Sequence, residues 1–113
     1  MILSRVLSIE ECKVMPFGTV AAGYLSVGDP QEDTARMILF QNHTDVAVWI
    51  TDDPLKDKFP LVPSGAFVLD ISTNKQSDEG YVIARGTQWY AKAMAALPSS
   101  GGIYITCFTG SRA

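Results

Sequence analysis

Charge of either sign is scarce in this chain. Only 19% of its 113 residues are Asp, Glu, Lys or Arg, and 9 cations against 12 anions leave a formal net charge of −3. Scarce, dispersed lysines exclude the basic groove that a nucleic-acid binder needs, so no nucleic-acid partner is expected. Hydrophobic residues make up 47%, which excludes a disordered acidic or basic tail. Cysteine is nearly lacking: Cys12 and Cys107 stand at opposite ends with no Cys-x-x-Cys spacing, which excludes a zinc knuckle. Histidine occurs once, as His43 in a polar turn, and no G-x-S-x-G elbow accompanies it. The sequence also lacks G-x-G-x-x-G and a Walker loop, so nucleotide chemistry, a cofactor and catalytic residues are not expected. No uninterrupted apolar run approaches the ~20 residues of a membrane span, and no membrane partner is expected. Arg5, Glu10 and Glu11 break the apolar start before a signal-peptide core can form, which points to cytoplasmic synthesis.

What is present is a rhythm of short β-prone runs separated by turn residues, the pattern of an all-β sandwich in one domain. Ala35 to Gln41 is one run. In Val46 to Ile50, Val46, Val48 and Ile50 share one face while Ala47 and Trp49 share the other, so a central strand is expected. Ala66 to Ile71 sets Phe67, Leu69 and Ile71 against Val68 and Asp70. Ile103 to Phe108 sets Ile103, Ile105 and Cys107 against Tyr104, Thr106 and Phe108. Tyr81 to Ala84 and Thr87 to Ala93 complete the strands of the second half, with a loop or single helical turn over Met94 to Leu97. Phe59 to Pro63, with two prolines, reads as an extended connection.

The first 34 residues differ. Thr19 to Leu25 is another possible strand, but glycines at 18, 23 and 28 weaken the segment as a rigid element. Residues 1–34 are therefore either an N-terminal arm or the first strands, preceding a sandwich core over 35–113. Leu3, Val6, Leu7 and Ile9 are apolar where a terminus would ordinarily fray, and they are the candidate contacts to a neighbouring chain or surface.

Two clusters invite chemistry. Asp52, Asp53 and Asp57 crowd one loop, but they miss the EF-hand spacing and share the loop with Lys56 and Lys58, which reads as a solvated hairpin rather than a metal site. Trp49, Trp89 and Tyr90, with Tyr104, are the candidates for a glycan-stacking platform, against the alternative that they fill the core.

From about residue 35 to residue 110 the chain resembles small structural proteins of tailed-bacteriophage virions. The resemblance is carried by F-Q-N-H-T-D with V-W-I-T-D-D (Phe40 to Asp53), F-P-L-V-P-S-G-A-F-V-L-D-I (Phe59 to Ile71), A-R-G-T-Q-W-Y (Ala84 to Tyr90) and S-G-G-I-Y-I-T-C-F-T-G (Ser100 to Gly110), in that order. Within that class a chain of this length is similar to capsid decoration or cement proteins, including staple-like ones. The resemblance implies a jelly-roll-like β-sandwich of about seven or eight short strands. It further implies a non-enzymatic protein on the virion's capsid surface, bound to the major capsid protein, often as a dimer. A carbohydrate-binding module and a tail or adhesion component are the alternatives.

Overall fold

A computed structural model describes residues 5–70 and 83–112. The fold is all-β, with nine strands among the described residues: β1 (Arg5–Ile9), β2 (Lys13–Pro16), β3 (Leu25–Ser26), β4 (Ala35–Asn42), β5 (Val48–Thr51), β6 (Phe59–Leu61), β7 (Ala66–Asp70), β8 (Tyr90–Ala93) and β9 (Gly102–Arg112). They form two antiparallel sheets. One runs β1-β9-β4-β7 with β2 also on β9, and the other runs β3-β8-β5-β6. Both β1 and β2 pair with β9, at successive stretches of its 11 residues, so together they act as one interrupted first strand. Counted that way there are eight strands, and the pairs first–eighth, second–seventh, third–sixth and fourth–fifth lie side by side. That pairing is a long hairpin rolled into two sheets, the jelly roll.

Alternation explains the core. Ile103, Ile105 and Cys107 on β9 lie opposite Asn42, Phe40 and Ile38 on β4, and all six are at most 1% exposed. Val48 and Ile50 on β5 pair with Ala93 and Ala91 on β8 from the other sheet, with Ala91, Val48 and Ile50 fully buried. Each large aliphatic or aromatic side chain removed from water in this way stabilises the fold by about 1.5 to 3 kcal/mol. Four aromatics bridge the sheets: Phe40 meets Trp89 edge-on at 5.0 Å and Phe59 edge-on at 5.1 Å, and Phe67 stacks against Phe40 at 6.2 Å.

Several boundaries depart from expectation for identifiable reasons. Strand β5 starts at Val48 rather than Val46, because the Val46 carbonyl already accepts from Asn42 Nδ2 (2.8 Å) and Thr44 Oγ1 (2.9 Å). Strand β8 starts at Tyr90 rather than Thr87, because both the amide and the hydroxyl of Thr87 donate to Ala84 O in a turn. The expected connection at Phe59 to Pro63 is in part a strand: Phe59–Leu61 pairs with β5, and Pro60 is tolerated because β6 is a sheet edge. Of Thr19 to Leu25 only Leu25 enters a strand, after a 3-10 turn at Phe17–Thr19. Met94 to Leu97 takes the loop form of the two that were expected, with bends at residues 94–96. Strand β7 reaches Asp70, while Ile71, Tyr81 and Val82 lie outside the described residues; Ile83 makes a two-way bridge with Ala35.

The first third of the chain contributes strands to both sheets and buries Met15, Val20 and Val27. Gln31, 2% exposed, fastens its last loop: Nε2 donates to the carbonyls of Asp33, Ile83 and Ala84. Gly28, at φ 65°, is required twice over, because a Cβ there would lie 2.9 Å from Lys13 Cβ.

Candidate functional site

Alternation that fills the core on one side of the five-stranded sheet dictates what its other side presents. Outward positions align across strands in rows: Ile9 opposite Phe108, Phe108 opposite Met37, and Met37 opposite Asp70. The next row runs Thr106, Leu39, Val68, and the third runs Val14, Tyr104, Gln41, Ala66. Ile9 is 65% exposed, Val68 50% and Val14 46%, while Met37, Leu39 and Phe108 are half-buried between their neighbours. Among these positions Asp70 alone is charged, and it stands at a corner. Beyond Ile9 and Phe108 the same alternation reaches the opposed Arg5–Arg112 pair at the outer end of β1, and Arg36 is the extra residue of a bulge at the start of β4. The result is a contiguous apolar face contributed by all five strands of the sheet.

Ile9 of the candidate contact residues belongs to this face. Val6 and Leu7 lie in β1, at positions opposite Ser111 and Gly110, and Leu3 lies outside the described residues. Tyr104 also falls on it, with the exposed His43 ring edge-on at 5.3 Å.

The candidate stacking residues separate. Trp89 is a core residue, 5% exposed against Phe40, and offers no open face to a sugar. Trp49 and Tyr90 lie half-buried on the outer side of the four-stranded sheet, opposite Lys92 and Thr51. There Tyr24 Oη donates to Asp57 Oδ1 at 2.7 Å, Lys92 Nζ lies 3.2 Å from the same carboxylate, and the ammonium sits 4.6 Å from the Tyr24 ring centroid. These contacts tie the β5–β6 loop down onto β8 and the entry to β3. Desolvation and the adjacent Asp57 push the Tyr24 phenol above its ordinary range, and the Tyr24 hydrogen bond followed by Lys92 holds Asp57 below the usual carboxylate range. Tyr24 and Lys92 escape a sequence reading because nothing local joins residue 24 to residues 57 and 92.

The loop carboxylates diverge. Asp52 pairs with Lys58 at 2.6 Å, Asp53 Oδ1 accepts from the Leu55 amide at 3.0 Å, and Asp57 serves Tyr24 and Lys92. Among the described residues no three His, Cys, Asp or Glu side chains are grouped to hold a metal ion. An open cleft of about 330 Å³ lies beside the β1–β2 break, lined by Glu10 to Val14 on one side and by Gly28, Asp29, Pro30 and Glu32 on the other. Glu10 spends its carboxylate there on the Glu32 and Asp33 amides, at 3.4 and 3.1 Å. Cys107 is buried and donates to Gln31 Oε1 at 3.6 Å; burial first, then Glu10, pushes its thiol up to about 11, an inert rather than nucleophilic setting.

No protein-family model, curated protein or solved structure matches the chain.

Proposed function

We propose that this chain is a non-enzymatic structural protein of a phage particle, a capsid decoration or cement protein that binds and stabilises the outer surface of the major capsid shell. It is made in the host cytoplasm and resides on the virion. The observation that carries this reading is the apolar, charge-poor outer face of the five-stranded sheet, centred on Leu39 and Thr106. A patch of this kind on a small domain marks a protein contact, because leaving it in water is unfavourable and covering it is favourable at about 25 cal/mol per Å². The phage setting rests on the ordered resemblance of segments between Phe40 and Gly110. A shell repeats one surface many times, which suits a small module with no cleft between domains.

Mass spectrometry of purified virions, with co-sedimentation of the purified chain on capsids that lack it, tests the proposal. Stoichiometric recovery with the particle is expected, and absence from the particle overturns the reading. A glycan array that gives specific hits, lost in Trp49→Ala, would replace it with a carbohydrate-binding module.

A further inference from the structure

We infer that the free edge of β7 accepts an extended segment of another protein as an added strand, seated in the notch between β7 and β6. The site is distinct from the outer face of the sheet, because it offers backbone groups rather than a side-chain surface, and it requires no virion.

One bond sets the orientation of the β7 backbone. The Asn42 amide donates to the Gly65 carbonyl at 2.9 Å, so these two form a hydrogen-bonded pair, and alternation makes Phe40–Phe67 and Ile38–Leu69 the next two. The amides and carbonyls of Phe67 and Leu69 therefore serve β4. Those of Ala66 and Val68 point the other way, where no strand lies among the described residues. Only another extended backbone matches such a row of donors and acceptors.

The other sheet edges are blunted. Strand β3 has two residues, and β6 carries Pro60 at its centre. The far edge of the five-stranded sheet is broken between β1 and β2 and holds Arg5, Lys13 and Pro16. In contrast, β7 runs from Ala66 to Leu69 without a proline, a glycine or a charge.

The core is open at the same place. Phe67 faces inward, opposite the fully buried Phe40 and 5.4 Å from Phe59 of the other sheet, yet it is 44% exposed. Val68, on the outward side, is 50% exposed. A strand laid along β7 covers both, and its inward side chains close the gap over Phe67 and Phe59. The occupant is thereby defined as an extended segment about as long as β7, with apolar residues at alternate positions.

A second copy of this chain fits less well. Two sandwiches joined edge to edge would bring β6 against β6 as well as β7 against β7, and Pro60 has no N–H to give to such a ladder. A single segment engages β7 alone.

The test uses the full chain and a synthetic probe, the acetylated and amidated peptide Thr-Val-Thr-Val-Thr-Val-Lys. In the free protein, amide hydrogen exchange followed by NMR should be at least about 10-fold faster at Ala66 and Val68 than at Phe67 and Leu69. The probe should shift the resonances of Ala66 to Leu69 and slow exchange at Ala66 and Val68. Val68→Pro removes an outward N–H and none that serves β4, so it should leave the far-ultraviolet dichroism unchanged and weaken the probe at least about 10-fold. Ala66→Pro should do the same and covers the case in which the first variant fails to fold. Val68→Thr, which keeps the N–H, should bind within about 3-fold of the parent. Equal protection at the four amides, no shift at β7 with the probe at millimolar concentration, or binding unmoved by both prolines overturns the inference. So does a doubled mass in solution that Val68→Pro abolishes, which makes the occupant a second copy. Shell binding through the outer face is read separately, by co-sedimentation on capsids, so either reading can fail without the other.

Discussion

The side-chain amide of Asn42 donates to the carbonyl of Leu61 at 3.1 Å, and through that bond the end of β4 in one sheet is tied to β6 in the other. Asn42 is fully buried, and every part of its amide is used. Nδ2 also reaches the carbonyls of Val46 and Val62, while Oδ1 accepts from the Thr44 amide and hydroxyl. Removal of the amide leaves several buried groups unpaired. Asn42→Ala should therefore destabilise the fold by about 2 to 4 kcal/mol in urea unfolding. Asn42→Asp should be at least as damaging, because a carboxylate would face three carbonyls. A loss under about 1 kcal/mol for either would show that water substitutes for the amide.

Two glycines with nearly the same backbone angle separate strain from collision. Gly86 has φ 83° and open space around a would-be Cβ, whereas Gly101 has φ 82° and its Cβ would lie 1.9 Å from the His43 carbonyl oxygen. Gly86→Ala should cost about 1 to 2 kcal/mol, the left-handed penalty alone. Gly101→Ala should cost more than about 3 kcal/mol or prevent folding, since the β4–β5 turn would have to move. Equal melting temperatures for the two variants would contradict this account.

The two thiols should differ in reactivity. Cys12 is exposed and Cys107 is buried beneath Gln31. At pH 8 a thiol-exchange reagent should modify one equivalent in the native protein and a second only in denaturant. The same burial has a pH consequence with a definite sign. A thiol whose folded pKa is raised from 9.0 to about 11 contributes stability that is fully present below pH 9 and is lost as pH rises through that window. Cys107→Ala, which creates a small cavity at all pH values, should flatten the alkaline decline of the unfolding midpoint. An unchanged slope would assign the decline to other groups.

The two tryptophans should respond very differently to truncation. Trp89→Ala removes a ring packed edge-on to Phe40 and should cost about 3 to 5 kcal/mol. Trp49, half-buried on the outer side of β5, should cost under about 2 kcal/mol when truncated. Comparable losses from thermal unfolding would mean that Trp49 is also held in a covered site.

Separation of the Tyr24 phenol from its carboxylate should be visible spectroscopically. In Asp57→Asn the tyrosinate absorbance of Tyr24 should rise at lower pH than in the parent, because its hydrogen-bonding and coulombic partner is gone while part of its desolvation remains. Tyr24→Phe removes that transition and identifies it; an Asp57→Asn titration that overlays the parent would discount the loop tether.

The sequence by itself determined the all-β class, because alternation in Ile103 to Phe108 and Ala35 to Gln41 is local, and the side-chain period of a strand is two wherever the strand lies. It also placed breaks between strands at Asp52 to Pro54 and Pro98 to Gly101, since proline and glycine bias backbone angles without outside help, but it did not foresee that Phe59–Leu61 pairs as an edge strand. Tertiary structure alone decided which strands became neighbours, and hence that Ile9, Val14, Leu39 and Val68 share one face although they come from four strands. Pairing depends on contacts between distant segments. The alternation in Val48 to Ile50 shows that two faces exist, but it does not say which one the second sheet covers. For the same reason Trp89 and Trp49 look alike as residues and differ in the fold: one lies beside Phe40 between the sheets, the other on the outer side of β5 opposite Lys92. The tether of Tyr24, Asp57 and Lys92 likewise exists only once β3, the β5–β6 loop and β8 are brought together, because charges so far apart in sequence attract only after hydrophobic burial has fixed the sheets.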